Sequence, residues 1–189
     1  MIQSTPLTSF TQIADEWETV LSGSPMNTLF LTPQWQEVWW ESFGNGHSMV
    51  GFYLTEADGV TAIAPLTRTG DTLSLVGNQD TVDYNDFLVK PGHEAVLYDA
   101  VLDRMEELQC RTLTLASLKE ESPTLEHLPE MARQRGFSVE VEREDVASGI
   151  VIPETWEDYL TGLSKKDRHE LRRKLRRLES ADSYRQYVL

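Results

Sequence analysis

Residues 49–66, MVGFYLTEADGVTAIAPL, decide the fold class of this chain. Two runs rich in β-branched and aromatic residues, 49–54 and 60–66, flank the turn residues Ala57-Asp58-Gly59. An Asp-Gly pair between such runs is typical of an antiparallel hairpin, because both residues tolerate the backbone conformations of a tight turn. The stretch therefore predicts two neighbouring antiparallel strands.

Strands and helices alternate on both sides of this hairpin. Further strands are predicted at 72–76, 86–89, 112–116, 137–141 and 149–152, and helices at 9–21, 33–43, 93–108 and 123–135. Two more helices begin at Thr155 and Ser164, each of which is followed three residues later by Asp in a capping box. This order predicts an α/β (α+β) fold, with a mixed, mostly antiparallel sheet flanked by helices and a long basic helix at the end.

The composition indicates a globular chain in a reducing compartment. It has 189 residues, of which 40% are hydrophobic and 25% are charged. Its single cysteine, Cys110, can form no disulfide within the chain and no cysteine-based metal cluster, and we expect it to be a packed residue. No apolar run approaches the ~20 residues of a membrane span, and the start resembles no secretory signal. A cytoplasmic location is therefore expected, with no membrane span.

The charge is distributed very unevenly along the sequence. The net charge is −14, yet residues 165–177 hold eight basic residues against Asp167 and Glu170, a local charge of +6 that leaves −20 elsewhere. A body this acidic repels nucleic acid, so a nucleic-acid partner is not expected for it. Three interpretations of the basic helix stay open: a solvated face, a phosphate-binding face, or a face that packs on an acidic surface.

Motifs for nucleophilic catalysis and metal binding are missing from the sequence. The four histidines are scattered, no two of them lie at i, i+4, and there is no G-x-S-x-G segment, so no metal site is predicted. The segment Glu41-Ser-Phe-Gly44-Asn-Gly46 resembles a pyrophosphate loop, but a helix precedes it and a strand follows it. This order is the reverse of what phosphate binding at a helix N-terminus needs, so the segment is interpreted as a helix stop.

Two segments are candidates for ligand binding. Trp35 and Trp39 lie four residues apart and share a helix face, either as core residues or as an aromatic platform in a cleft. The sequence Asp83-Tyr84-Asn85-Asp86 is either a turn with side-chain to backbone hydrogen bonds or a carboxylate pair that holds an amine or hydroxyl acceptor. Two carboxyl groups three residues apart can separate their pKa values, so that one acts as a base.

Several of these segments resemble a known family. They are Phe30-Leu31-x-Pro33-x-Trp35, Trp39-Trp40, Ala64-Pro65-Leu66, Asp83-Tyr84-x-Asp86-Phe87, Ser122-Pro123-Thr124 and the block Lys165-Lys166-x-Arg168-x-x-x-Arg172-Arg173. In this order they look like the CelD/BcsL-type acyltransferases, relatives of the FemAB peptidoglycan aminoacyltransferases within the GNAT superfamily. The resemblance covers residues 30–179.

The resemblance implies two tandem GNAT-like domains. The first would span residues 1–163, a basic connecting helix 164–181, and the start of a second domain 182–189. It implies an acyl-CoA-dependent N-acyltransferase of cell-envelope or exopolysaccharide biosynthesis, whose acyl-CoA site belongs to the second domain. We therefore expect this chain to be the N-terminal, acceptor-side half, without a cofactor of its own and with the missing C-terminal GNAT domain as its partner. Acetyl-CoA or another acyl-CoA is expected for the full-length protein.

The resemblance also suggests where a small-molecule or glycan-linked acceptor binds. The candidate residues are Trp35, Asp83, Tyr84, Asp86, Lys166, Arg168 and Arg172, and no catalytic residue is assigned. The alternative from another functional class is a non-catalytic binding domain whose basic helix docks an acidic partner or nucleic acid.

Overall fold

The computed structural model describes residues 2–146, 149–181, 183 and 185. The chain divides into two compact units, Met1–Glu144 and Asp145–Leu189. The predicted domain boundary after residue 163 and the predicted second domain stay predictions. Apart from Ser183 and Arg185, the segment 182–189 that was expected to begin that domain lies outside the described residues.

The described residues of the first unit form eight strands and four α-helices. In chain order they are β1 (Gln3–Pro6), α1 (Ala14–Gly23), a 3-10 turn (Leu29–Leu31), α2 (Pro33–Phe43), β2 (Ser48–Met49), β3 (Phe52–Glu56), β4 (Gly59–Ala64), β5 (Leu66–Thr69), β6 (Thr72–Leu75), β7 (Leu88–Val89), α3 (Glu94–Glu107), β8 (Thr112–Thr114) and α4 (Pro123–Gln134). The first helix begins at Ala14, five residues after its predicted start, since residues 10–13 form turns. The helix predicted at 33–43 is confirmed, and Gly44 ends it as expected.

The predicted hairpin forms, but each of its strands is divided in two. β3 pairs with β4, whereas β2 and β5 pair in a second sheet. The divisions lie at Pro65, which has no N–H for a ladder, and at Gly51, where a Cβ atom would lie 2.7 Å from the carbonyl oxygen of Ala64. The hairpin therefore bends at these two residues, and its strands continue from one sheet into the other.

The predicted fold class is confirmed, with two four-stranded sheets in place of one. The first has the order β1-β3-β4-β7 and is antiparallel throughout. The second has the order β2-β5-β6-β8 and contains one parallel pair, β6 with β8. Helices pack on two apolar clusters, one with Leu97 and Tyr98 of α3 and the other with Trp17 of α1. Neighbouring residues of β4 point into different clusters, Ala62 and Ala64 into the first and Ile63 into the second.

Two predicted strands are absent from the described part of the chain. Phe137 and Val139 are half-buried and Ser138 and Glu140 are exposed, so the alternation of residues 137–141 is real, but no backbone ladder forms there. Residues 149–152 form no strand either, and Val151 is 90% exposed. Alternation reports which face of a segment is apolar, whereas a strand also needs a neighbouring backbone with which to pair.

The second unit contains α5 (Trp156–Gly162) and α6 (Lys165–Glu179). Both predicted N-caps are confirmed: the Thr155 hydroxyl accepts from the Asp158 N–H at 3.1 Å, and the Ser164 hydroxyl accepts from the Asp167 N–H at 3.2 Å. The hydroxyl of each cap in turn donates to the carboxylate of the same Asp. Within the described ranges, no helix has the length and apolarity needed to cross a bilayer.

Candidate functional site

The candidate site of the first unit lies where the parallel strands β6 and β8 end. Leu73 pairs with Leu113, and the chain leaves the two strands through residues 76–87 and 115–122. Loops at the carboxyl ends of parallel strands share one sheet edge, and ligands commonly bind there. The segment 83–86, singled out from the sequence, belongs to the first of these loops.

Hydrogen bonds join the two loops. The Asn85 N–H donates to the Ser117 carbonyl at 2.9 Å, and the Asn85 side chain donates to the Val76 carbonyl at 3.0 Å. Ser117 has a positive φ of 60°, and its N–H donates to the Glu144 carboxylate at 2.8 Å. The Asn85–Ser117 hydrogen bond therefore joins the two loops.

Asp86 of the first loop is buried and is 1% exposed. Its carboxylate accepts from the Ser122 hydroxyl at 2.5 Å, from the Thr124 hydroxyl, and from the Phe87 N–H at 2.8 Å. Desolvation raises the pKa of Asp86, against the opposite effect of these hydrogen bonds. Burial likewise raises the pKa of Tyr98, whose hydroxyl lies 3.2 Å from that of Thr124. Asp86 thus lies behind the candidate surface and ties the first loop to the N-terminus of α4, which Ser122 caps.

Trp35 and Tyr84 lie near each other because both contact Phe30. The ring centroids of Phe30 and Trp35 are 5.1 Å apart, with the ring planes nearly perpendicular, and those of Phe30 and Tyr84 are 6.4 Å apart. We call Phe30, Trp35 and Tyr84 the aromatic cluster. The ammonium of Lys119 lies over the Tyr84 ring, 4.4 Å from its centroid.

Local structure holds the aromatic cluster in place. The Thr32 hydroxyl accepts from the Trp35 N–H at 3.3 Å and caps α2, with Pro33 at its first position. The buried Gln36 side chain donates to the Phe30 carbonyl at 2.9 Å. All three rings of the cluster are half-buried, and Asp83, next to Tyr84, is exposed. The rings therefore keep one side open to solvent.

Trp35 and Trp39 take different roles, so they do not form a single platform. Trp39 is 4% exposed and belongs to the core, where its indole N–H donates to the Thr81 hydroxyl at 2.8 Å. The indole N–H of Trp35 is buried and has no hydrogen-bond partner among the described residues.

Lys166, Arg168 and Arg172 belong to α6 of the second unit. Arg168 donates to the Leu160 and Thr161 carbonyls at 3.3 and 3.2 Å, so its guanidinium caps the C-terminal end of α5. Lys166 and Arg172 are exposed, and none of the residues of α6 is buried. Within the part of the chain that the structure describes, Lys166 and Arg172 form no ion pair, whereas Arg168 joins α6 to the end of α5.

Sequence reasoning missed the contact of Lys119 with Tyr84. Lys119 follows β8, far from Tyr84 in sequence, and nothing in its neighbourhood indicates which ring it covers. Among residues 2–146, 149–181, 183 and 185, no group of three or more His, Cys, Asp or Glu side chains is placed to hold a metal ion.

Comparisons with known proteins found a similarity to a solved structure. The sequence matches no protein-family model and no curated protein. Among solved structures, the chain is similar to the ribosomal-protein-S18-alanine N-acetyltransferase from Escherichia coli, at 15% identity and a TM-score of 0.47. The match covers 69% of this chain and 76% of that enzyme, and it concerns the path of the backbone.

Proposed function

We propose that this chain is the acceptor-binding part of a GNAT-type N-acyltransferase that acts on a cell-envelope or exopolysaccharide-related acceptor. The observation that carries the proposal is the aromatic cluster beside the carboxyl ends of the only parallel strand pair among the described residues. Ligand sites combine aromatic walls with a few polar groups, and here exposed Asp83 adjoins Tyr84. The motif order that resembles the CelD/BcsL-type enzymes supports the same reaction class.

Residues of the aromatic cluster and the neighbouring Asp83 contact different parts of the acceptor in this proposal. Trp35 and Tyr84 pack against the apolar face of the acceptor, and Asp83 takes the proton that the amine loses as its nitrogen attacks the acyl carbon. Asp86 is a positioning residue, because its carboxylate is already saturated by donors. An acyl-CoA, when bound, supplies the thioester. The resemblance assigns the acyl-CoA site to a second GNAT-like domain, and CoA would leave as its thiolate when the amide bond forms.

Lys166 and Arg172 of the second unit are proposed to bind anionic groups. Both are exposed cations of a helix without buried residues, and neither forms an ion pair within the described part of the chain. Arg168 acts through α5, since its guanidinium donates to the last carbonyls of that helix.

Titration calorimetry with two probes tests whether this chain binds the acceptor but not acyl-CoA. We expect glucosamine, an amine of the sugar class, to bind this chain, and acetyl-CoA not to bind it. Trp35→Ala should weaken glucosamine binding by about two- to thirteenfold, because an aromatic contact contributes about 0.5–1.5 kcal/mol. Val38→Ala, on the same helix and 61% exposed, is the matched control and should change nothing. Tight acetyl-CoA binding by this chain, or glucosamine binding that does not depend on Trp35, would contradict the proposal.

A second candidate function is a binding module that docks an acidic partner through α6. It is favoured by the exposure of α6, whose Leu171 and Leu175 are half-buried and whose Leu178 is 47% exposed. A salt titration separates the candidates. Strong binding of duplex DNA that falls steeply with salt would favour the nucleic-acid form of this module. No binding near physiological salt would exclude that form.

A further inference from the structure

Lys119 is a half-buried cation in a strongly acidic unit. Residues 1–144 contain 23 acidic and eight basic residues. Arg104, Arg111, Arg133 and Arg135 of that unit form ion pairs, whereas Lys119 forms none within the described ranges. Its ammonium lies over the Tyr84 ring instead. A cation–π contact of this kind contributes about 0.5–2 kcal/mol and leaves the ammonium donors free for an acceptor.

Trp35 supplies a second donor without an acceptor in the same cluster. The indole N–H groups of Trp17 and Trp39 donate to oxygens at 2.8 Å, but that of Trp35 is buried and unpartnered within the described residues. The nearly perpendicular Phe30 ring is at most a weak acceptor for it. A buried donor without a partner is unfavourable, so an oxygen atom that reached this N–H would be bound favourably.

From these two donors we infer that the acceptor carries a carboxylate, and that Lys119 and the Trp35 indole N–H bind its oxygens. The inference rests on the proposed function and narrows the acceptor to an acid such as a uronic acid or an amino acid. Trp35 of the aromatic cluster and Lys119 above the Tyr84 ring are donors without a protein acceptor among the described residues, which matches the needs of an oxygen anion. Exposed Asp83 next to Tyr84 leaves room for an amine on the same molecule.

The test follows the indole N–H signals of the whole chain by proton–nitrogen NMR. The probes form two matched pairs that differ in the carboxylate, glucuronate with glucose and N-acetylalanine with its amide. A carboxylate is expected to move the Trp35 signal downfield, and the hydrogen-bonded indoles of Trp17 and Trp39 are internal controls. Trp35→Phe identifies the signal. If one pair responds and the other does not, the responding pair identifies the source of the carboxylate.

Variants at Lys119 complete the experiment. Lys119→Met keeps the aliphatic stem and should weaken carboxylate binding by about ten- to a hundredfold, the effect of losing one charge-assisted hydrogen bond. Lys119→Arg should retain most of the affinity. Unchanged Trp17 and Trp39 signals in both variants show that the fold is intact.

The outcomes separate this inference from the proposed function. If charged and uncharged probes shift the Trp35 signal equally and Lys119→Met has no effect, the inference of a carboxylate is wrong, while the proposed acceptor site is retained. No shift of the Trp35 signal with any probe, glucosamine included, would contradict both the carboxylate inference and the proposed function.

Discussion

Removal of the Asp86 carboxylate should strongly destabilise the first unit. In Asp86→Ala, the Ser122 and Thr124 hydroxyls and the Phe87 N–H all lose their acceptor, in a place where Asp86 is 1% exposed. The two hydroxyls can rotate to other acceptors, but the backbone N–H cannot. With about 1–3 kcal/mol for each unpaired buried group, we expect a loss of about 3 kcal/mol.

Urea unfolding followed by far-UV circular dichroism measures this loss. For a slope of about 2 kcal/mol per molar urea, the midpoint should fall by about 1.5 M. The matched control is Asp83→Ala, three residues earlier on the same loop, where the exposed side chain predicts a change within about 0.5 kcal/mol. Equal midpoints for Asp86→Ala and the wild type would refute the assignment of Asp86 as the residue that ties the loop to α4.

The same carboxyl group predicts a dependence of stability on pH. Because burial raises the folded-state pKa of Asp86 above its ordinary 3.8, its contribution to stability is fully present below 3.8 and is lost as pH rises through the folded pKa. Asp86→Asn resembles the uncharged form and lacks this dependence. The stability of the wild type relative to Asp86→Asn should therefore fall as the pH rises above 3.8. A relative stability that rises over this range would mean that the folded pKa is lowered.

Three further substitutions test local features of the fold. Gly51→Ala should lower the free energy of urea unfolding by about 2 kcal/mol, because its Cβ would lie 2.7 Å from a carbonyl oxygen of the neighbouring strand. The control is Gly23→Ala, whose Cβ meets no atom within 4 Å and which should not destabilise the protein. Arg168→Met should lower the free energy of thermal unfolding, followed by the helical circular dichroism signal, by about 1 kcal/mol, because the cap of α5 is lost. The substitution of exposed Arg172 by Met is its control. A larger effect of Arg172→Met would contradict the capping role. Thr32→Ala should cost about 1 kcal/mol by removing the N-cap of α2, and Thr32→Ser should restore it; equal midpoints for both would argue against the cap.

Several features could be predicted because neighbouring residues determine them. The Asp-Gly turn between apolar runs, the cap of α2 by Thr32 and the caps of α5 and α6 each depend on side chains within a few positions of one another. Of the two interpretations of Trp35 and Trp39, core packing holds for Trp39, whereas Trp35 lies in the aromatic cluster. Periodicity places two residues on a helix face but does not determine which core or loop each one meets.

The hairpin, the capped starts of α2, α5 and α6, the single cysteine and the positive charge of one helix could be predicted from the sequence. They follow from composition and from contacts close along the chain. The tertiary structure alone decided the division into two sheets at Gly51 and Pro65 and the parallel pairing of β6 with β8. It also decided the enclosure of Asp86 and the approach of Lys119 to Tyr84. These features join residues distant in sequence, and such contacts form only where packing of the whole unit repays the entropy of closing long loops.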